Sequence, residues 1–249
     1  MKQERIMMGM PISIEIVDLG VKEKVFEQVF NFFTYVDEKF STYKISSETS
    51  QINQGLIKEN DYSEDMKEVI KLSAETMRQT NGFFTTTDVD GNFDPLGLVK
   101  GWAINKACLL LEKLGYKNFY IEAGGDIQTK GNNKDNKFWA VGIRNPFKLD
   151  EIIKVLSLSG QGIATSGTYL RGQHITNPFK LNSAITEIVS LTVVGPNIYE
   201  ADRFATAAFA MGKAGIHFIE NLTDFEGYVV DNFGVATYTS GFEKLTFKV

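Results

Sequence analysis

The chain has 249 residues, 43% hydrophobic and 23% charged, which is ordinary globular composition, and the length suits one large domain or two small ones. A net charge of -5 gives no sign of the basic patch that tracks nucleic-acid phosphates. An anionic ligand would have to be met locally, by backbone N–H groups, a few cations or a metal.

Met1 to Arg5 is too charged to open a signal peptide, no run approaches a membrane span, and the lone Cys108 cannot form an internal disulfide. These points make a cytoplasmic protein the expectation. Cys108 itself, in an apolar helical stretch, reads as a small buried hydrophobe.

From Met10 to Val17, Ile12, Ile14 and Ile16 alternate with Pro11, Ser13 and Glu15, the period of a half-buried strand. From Val21 the period changes, and Val25, Val29, Phe32, Phe33 and Val36 share one helical face that ends before Phe40. A polar loop is expected over Ser46 to Asn53. A second helix spans Ser63 to Thr80, with Ser63 as its N-cap and Asn81-Gly82 as its stop. After a Thr-, Asp- and Gly-rich stretch, a third helix runs from near Leu98 to Leu114-Gly115.

Strands are expected at 118–122, 138–144, 152–158, 162–166 and 188–194, and a helix from about Glu200 to Met211, stopped by Gly212. A hairpin crosses Asn232-Phe233-Gly234, and the last segment alternates too. Short turns between several strands predict an α+β fold: a mixed, largely antiparallel sheet with packed helices, in one domain (1–249) that could divide into two lobes.

Four constellations could carry chemistry, and each also has a plain structural reading. Asp94-Pro95-Leu96-Gly97-Leu98-Val99-Lys100 enters a helix, so its N–H groups and Lys100 could meet phosphate; alternatively Asp94 only caps that helix. Glu122-Ala123-Gly124-Gly125-Asp126 permits close backbone approach to a ligand, or is a tight turn between strands. Thr165-Ser166-Gly167-Thr168 followed by His174 is polar beyond what a core needs, although a surface histidine without a role fits as well; His217 reads as structural. Asp202 and Thr206 are four apart on one helix face, a hard-metal pair for Mg²⁺ or a capping Asp with a Thr bonded back to its own helix.

Taken in order, these segments resemble the FAD:protein FMN transferase (ApbE-like) family over nearly the whole chain. The resemblance rests on Met8-Gly9-Met10-Pro11, Phe40-Ser41-Thr42-Tyr43 with Ser47-Glu48 and Asn53, Asp94 to Trp102, Gly124-Gly125-Asp126 and Trp139 to Ile143. It continues through Thr165-Ser166-Gly167, His174-Ile175 with Pro178, and Ala201-Asp202 with Ala205-Thr206. It implies Mg²⁺ held by Asp202, Thr206 and backbone oxygens of Gly97 and Ala205. It implies FAD contacts from Met8, Tyr43, Phe83, Phe84, Thr85, Asp94 and Lys100, a site bordered by Thr165, Ser166, Gly167 and Ile175, and His174 as base near the transferred phosphate.

The implied reaction passes FMN from FAD to a Thr or Ser hydroxyl of an acceptor flavoprotein and releases AMP. An FAD pyrophosphatase and a non-catalytic flavin carrier are the alternatives. The resemblance leaves a homodimer open and implies neither a nucleic-acid partner nor a membrane span. The chain departs from the family where Gly82-Phe83-Phe84-Thr85 runs almost directly into Asp94, at Asn105 where an aspartate is common, and at Asn177 in His-Ile-x-Asp-Pro.

Overall fold

The computed structural model describes residues 1–88, 90–168, 175–180 and 183–247. The first hairpin is β1 (Lys2–Met7) and β2 (Met10–Ile16), followed by α1 (Glu23–Phe40), α2 (Glu48–Asn53), α3 (Glu64–Gln79) and α4 (Leu96–Lys113). Next come β3 (Phe119–Ala123), β4 (Asp126–Lys130), β5 (Trp139–Asn145), β6 (Lys148–Leu158) and β7 (Gly162–Gly167). Two short strands, β8 (Thr176–Asn177) and β9 (Ser183–Ala184), precede β10 (Ile188–Gly195) and α5 (Ile198–Ala210). The chain closes with α6 (Gly215–Glu220), β11 (Glu226–Asp231) and β12 (Ala236–Tyr238).

Eight strands form one sheet in the order β1-β2-β3-β4-β7-β10-β11-β12, and every pairing within it is antiparallel. The expected α+β architecture is therefore the observed one. Alternation along the strands gives the sheet two buried faces. Ile12, Ile14, Phe119, Ile121, Ala164, Leu191 and Val193 pack with the helices. Ile163, Val194, Tyr228 and Val230 face the opposite way and pack with Trp139, Val141 and Leu156 of the β5–β6 hairpin.

α4 and α5 are central helices, which is why apolar residues surround them instead of marking one stripe. α4 buries Leu98, Val99, Trp102, Ile104 and Leu111, and α5 buries Ile198, Phe204 and a run of alanines that lets neighbouring backbone come close. Ser63 caps α3 as expected, accepting from the Met66 N–H, and Asn81 and Gly82 both take positive φ where that helix stops.

Several elements depart from the sequence reading. The charged start is β1, an edge strand whose half-buried Gln3, Arg5 and Met7 alternate with exposed Lys2, Glu4 and Ile6. The expected polar loop contains α2, because Ser47 Oγ accepts the Ser50 N–H and starts a helix there. β4 was not anticipated beyond its glycine turn. The final segment is a 3₁₀ turn (Phe242–Leu245) and a single bridge from Thr246 to Leu156, not a strand of regular alternation.

Candidate active site

The two central helices cross where α4 has Gly101 and α5 has Asp202. A Cβ on residue 101 would stand 2.7 Å from Asp202 Cβ and 2.9 Å from the Ile198 carbonyl oxygen, so this approach requires glycine. In a regular helix the N–H of residue 101 bonds to the carbonyl of residue 97. Here Asp202 Oδ2 accepts from the Gly101 N–H at 2.8 Å. Asp202 thus competes for the ladder partner of the Gly97 carbonyl, which receives the Thr206 hydroxyl at 3.4 Å. Asp202 does not cap its own helix: Asn197 does, accepting from the Glu200 N–H.

The start of α5 is fixed from below by the sheet. Gln128 on β4 accepts the Ile198 N–H at 2.7 Å and donates to the Gly160 carbonyl at 2.8 Å. Gly162 makes room for this docking, since a Cβ there would lie 2.1 Å from Ile198 N. Arg203, buried, ties α5 sideways to α3 through Thr76 at 3.1 Å and Gln79 at 2.5 Å. These contacts orient the helix face that carries Asp202 and Thr206.

A second carboxylate joins the crossing from the sheet. Asp126, the first residue of β4, is 1% exposed, and Asp202 is 4% exposed. Lys100 Nζ lies 2.5 Å from Asp126 Oδ2 and 3.7 Å from Asp202 Oδ1. The other Asp126 oxygen accepts the Thr165 N–H at 3.1 Å. Burial pushes the Asp202 carboxyl up to about 7; the Lys100 ammonium pulls it down, Asp126 pushes it further up, and the Gly101 N–H favours the charged form. Below about pH 7 a proton on Asp202 balances the cluster, and above it two buried carboxylates face one ammonium, a costly excess of negative charge that favours an added cation.

The donors at this point are carboxylate, hydroxyl and carbonyl oxygens, the set that suits a hard divalent cation. The Lys100 ammonium already stands against both carboxylates as a positive charge. Among the described residues no group of three or more His, Cys, Asp and Glu side chains is placed to hold a metal, so the fit rests on this mixed oxygen set.

The other sequence-derived candidates fall in different places. Phe84 is buried and touches the Gly97 position, and Phe83 packs edge-on against Phe179 with ring centroids 4.9 Å apart. These contacts bring the 83–85 segment between the start of α4 and the segment that begins at Ile175, with Thr85 exposed and Ile175 half-buried against the core. Asp94 Oδ1 accepts the Leu96 N–H at 2.9 Å, a helix-entry contact.

Met8 occupies the β1–β2 turn with φ 52, and neighbouring Met10 packs where a Cβ on Gly124 would be. The turn therefore shares a sheet end with Asp126. Ser166 is buried on β7, beside Gly167. Thr165 contributes its backbone to Asp126, while its hydroxyl pairs with that of Thr192 at 2.8 Å, in register with Ile163 and Val194 on the face away from the helices. Ala205 is fully buried inside α5, where carbonyls serve the helix ladder. Tyr43 is 92% exposed and stands apart from the buried cluster. His174 lies outside the described residues.

Asp126, Gly101 and Gln128 were not singled out for roles by the sequence. The Gly-Gly-Asp run was the available signal for Asp126. Nothing in spacing ties residue 101 to residue 202.

Known proteins decide the family. The sequence model of the ApbE family matches residues 8–90 and 85–229. The chain belongs to the ApbE family.

A protein of Haemophilus influenzae named FAD:protein FMN transferase is 28% identical over 166 residues, 61% of this chain and 48% of that protein. A Vibrio cholerae protein of the same name is 30% identical over 126 residues, 47% of this chain and 37% of its own length. The matched stretches thus span about half or less of the curated relatives. The fold is shared with the ApbE protein of Thermotoga maritima, at TM-score 0.88 and 19% identity over 100% of this chain and 99% of that one. It is likewise shared with the flavin transferase ApbE of Vibrio cholerae, at 0.86 and 20% over 98% of both chains. Among the described residues no helix is long and apolar enough to cross a membrane.

Proposed function

We propose that this chain is a flavin transferase, residues 1–249 acting as one domain that moves FMN from FAD to a Thr or Ser hydroxyl of an acceptor protein. The observation that carries the reading is the buried Asp126–Lys100–Asp202 cluster at the α4–α5 crossing, beside the Gly97 carbonyl and the Thr206 hydroxyl. Relatives named FAD:protein FMN transferase point the same way.

Asp202, Thr206 and the carbonyls of Gly97 and Ala205 would hold Mg²⁺, with Asp126 and Lys100 adjusting the charge around them. Bound there, Mg²⁺ supplies positive charge to the diphosphate oxygens as it does in other phosphoryl transfers.

The chain's own residues then bind and orient. Lys100, held by Asp126, meets a phosphate oxygen at the start of α4, and Asp94 steadies the helix entry. Met8, Phe83, Phe84, Thr85, Ser166, Gly167 and Ile175 border the bound FAD, with the Thr165 backbone holding Asp126 in place and Tyr43 approaching from its exposed position. The acceptor oxygen forms a bond to the FMN-side phosphorus, and the bond from that phosphorus to the bridging oxygen breaks. AMP takes the bridging oxygen, and the hydroxyl proton passes to a base, assigned by residue type to His174.

A mass assay tests the reading. With FAD, Mg²⁺ and an acceptor domain, the expected products are an acceptor heavier by one FMN phosphoester and one equivalent of AMP. His174→Asn should slow the step at least tenfold while FAD still binds. AMP and free FMN without an adduct would make the chain a pyrophosphatase, and intact FAD throughout would make it a carrier.

A further inference from the structure

Two turns at one end of the large sheet hold large apolar side chains out in water. Phe233, in the turn that joins β11 to β12, is 82% exposed, and Phe147, in the turn that joins β5 to β6, is 54% exposed. The turns meet: a Cβ on Gly234 would lie 3.8 Å from the Phe147 ring. Leu149 and Val235, two residues on from each ring, are exposed as well. A phenylalanine carries about 200 Å² of surface, so the two rings alone offer roughly 270 Å². With Leu149 and Val235 the patch enters the range in which the largest apolar patch of a monomer is often functional.

Each turn is braced by a side chain. Asp231 Oδ1 accepts the Phe233 and Val235 N–H groups, each at 2.9 Å, and Asn145 Oδ1 accepts the Phe147 N–H at 3.0 Å. Backbone fixed in this way has less freedom to lose on binding. Aromatic side chains on such support are the usual anchors of a protein–protein contact.

The pairing of the strands places the patch relative to the Asp126 cluster. β7 and β11 both run toward the end of the sheet that carries the Gly124-Gly125-Asp126 turn. Ile127 pairs with Ile163, and the next residue, Ala164, lines up through Val193 with Gly227, so Asp126 is level with Gly227. From there β11 runs on to Asp231, about 14 Å further, and it lies three strands from β4, about 14 Å across. The Phe233 turn thus stands roughly 20 Å from Asp126 and projects past it. A domain of about 100 residues has a radius of gyration of about 13 Å, so one such domain could rest on both turns and still reach the cluster.

We propose that Phe147, Leu149, Phe233 and Val235 dock the acceptor protein, through an apolar patch beside the segment that bears the modified hydroxyl. The inference rests on the flavin-transfer reading, which requires a protein partner at this end of the sheet. Size favours that partner over a second copy of the chain. A stable interface takes about 800 Å² from each side, and a smaller patch suits a transient contact. An enzyme that modifies one protein after another must release each in turn.

The test compares wild type, the double variant Phe147→Ser/Phe233→Ser, and Leu19→Ser. Leu19 is almost fully exposed but follows β2 at the opposite end of the sheet, so it controls for loss of surface apolarity alone. All three proteins should share one melting temperature, because the replaced side chains lie at the surface. With FAD and Mg²⁺, FMN transfer is measured to the acceptor domain of the mass assay and to a five-residue peptide centred on its modified hydroxyl. Five residues span at most about 18 Å, too short to join the site to the patch.

The double variant should raise KM for the domain at least tenfold, keep kcat, and leave transfer to the peptide unchanged. Leu19→Ser should match wild type on both acceptors. An unchanged KM for the domain overturns the docking site and leaves the transferase reading standing. In that case, loss of binding to phosphatidylcholine–phosphatidylglycerol vesicles in the double variant would give the patch to a membrane surface, and a dimer turned monomer would give it to a second copy. An equal loss on domain and peptide also overturns it, by tying the two rings to the site itself. A wild type that transfers FMN to neither acceptor removes both readings.

Discussion

The two faces of the large sheet carry opposite kinds of interior. On the helix face, at the crossing of α4 and α5, the buried groups include Asp126, Asp202 and the Lys100 ammonium, packed against glycine and alanine. On the other face, beneath β5–β6, they are Trp139, Val141, Leu156, Tyr228 and Phe242, with Tyr228 and Phe242 rings 5.1 Å apart. The second region gains by area burial and aromatic packing. The first gives up such packing to keep charges out of water, which a fold retains only where something supports it. On the proposed function, chemistry belongs to the first face and scaffold to the second.

The sharpest way to separate the two is a large truncation in the scaffold. Trp139 packs on Tyr120 with ring centroids 5.3 Å apart and donates its Nε1–H to the Lys130 carbonyl at 3.1 Å. Trp139→Ala should cost about 3–5 kcal/mol in urea unfolding. Flavin transfer per folded molecule should stay at the wild-type rate, and a loss of transfer beyond the unfolded fraction would tie this face to the chemistry.

Gly101→Ala probes the other region with a single methyl group. The added carbon meets Asp202 Cβ and the Ile198 carbonyl, so α4 and α5 must move apart at a cost of about 1–3 kcal/mol. Transfer should fall at least tenfold in protein that circular dichroism shows to be folded. Equal transfer would mean that the Asp202–Gly97 spacing is not needed.

A smaller effect should appear in the pH dependence of the metal-free protein. The Asp202 carboxyl sits at about 7 in the folded state against an ordinary 3.8, so between those values the folded state holds a proton that the unfolded chain has released. Stability must then fall as pH rises through that window and level off above it. Urea midpoints between pH 5 and pH 8 should decline in wild type and flatten in Asp202→Asn. The Trp139 variant should keep the wild-type slope, because no titrating group is lost from the scaffold face.

Much of this was legible in the chain, and the reasons for the gaps are physical. Period-two alternation revealed β2 because Ile12, Ile14 and Ile16 all point into one core. It hid β1, whose edge position leaves Lys2, Glu4 and Ile6 exposed and Gln3, Arg5 and Met7 only half-buried, so polarity does not alternate with the pleat. The Asp202–Thr206 pair could be read because helical spacing places i and i+4 together. Its partners could not: Gly101 and Asp126 reach Asp202 only through the crossing of two helices and the docking of α5 on β4, geometry with no signature in local spacing. Thr165 shows a similar limit. Its hydroxyl pattern suggested a place at the site, but strand alternation turns the side chain toward Thr192 and leaves only its N–H for Asp126. The family resemblance supplied order along the chain, and packing decided which atoms meet.

The most direct test of the central claim joins cation binding to transfer at Asp202. Melting temperature and FMN adduct formation would be measured with and without Mg²⁺, in the presence of FAD, for wild type, Asp202→Ala and Val141→Ala. The account predicts that Mg²⁺ raises the melting temperature and supports transfer in wild type and Val141→Ala, and does neither in Asp202→Ala. Transfer by Asp202→Ala at the wild-type rate, or an equal Mg²⁺ shift in all three proteins, would contradict it.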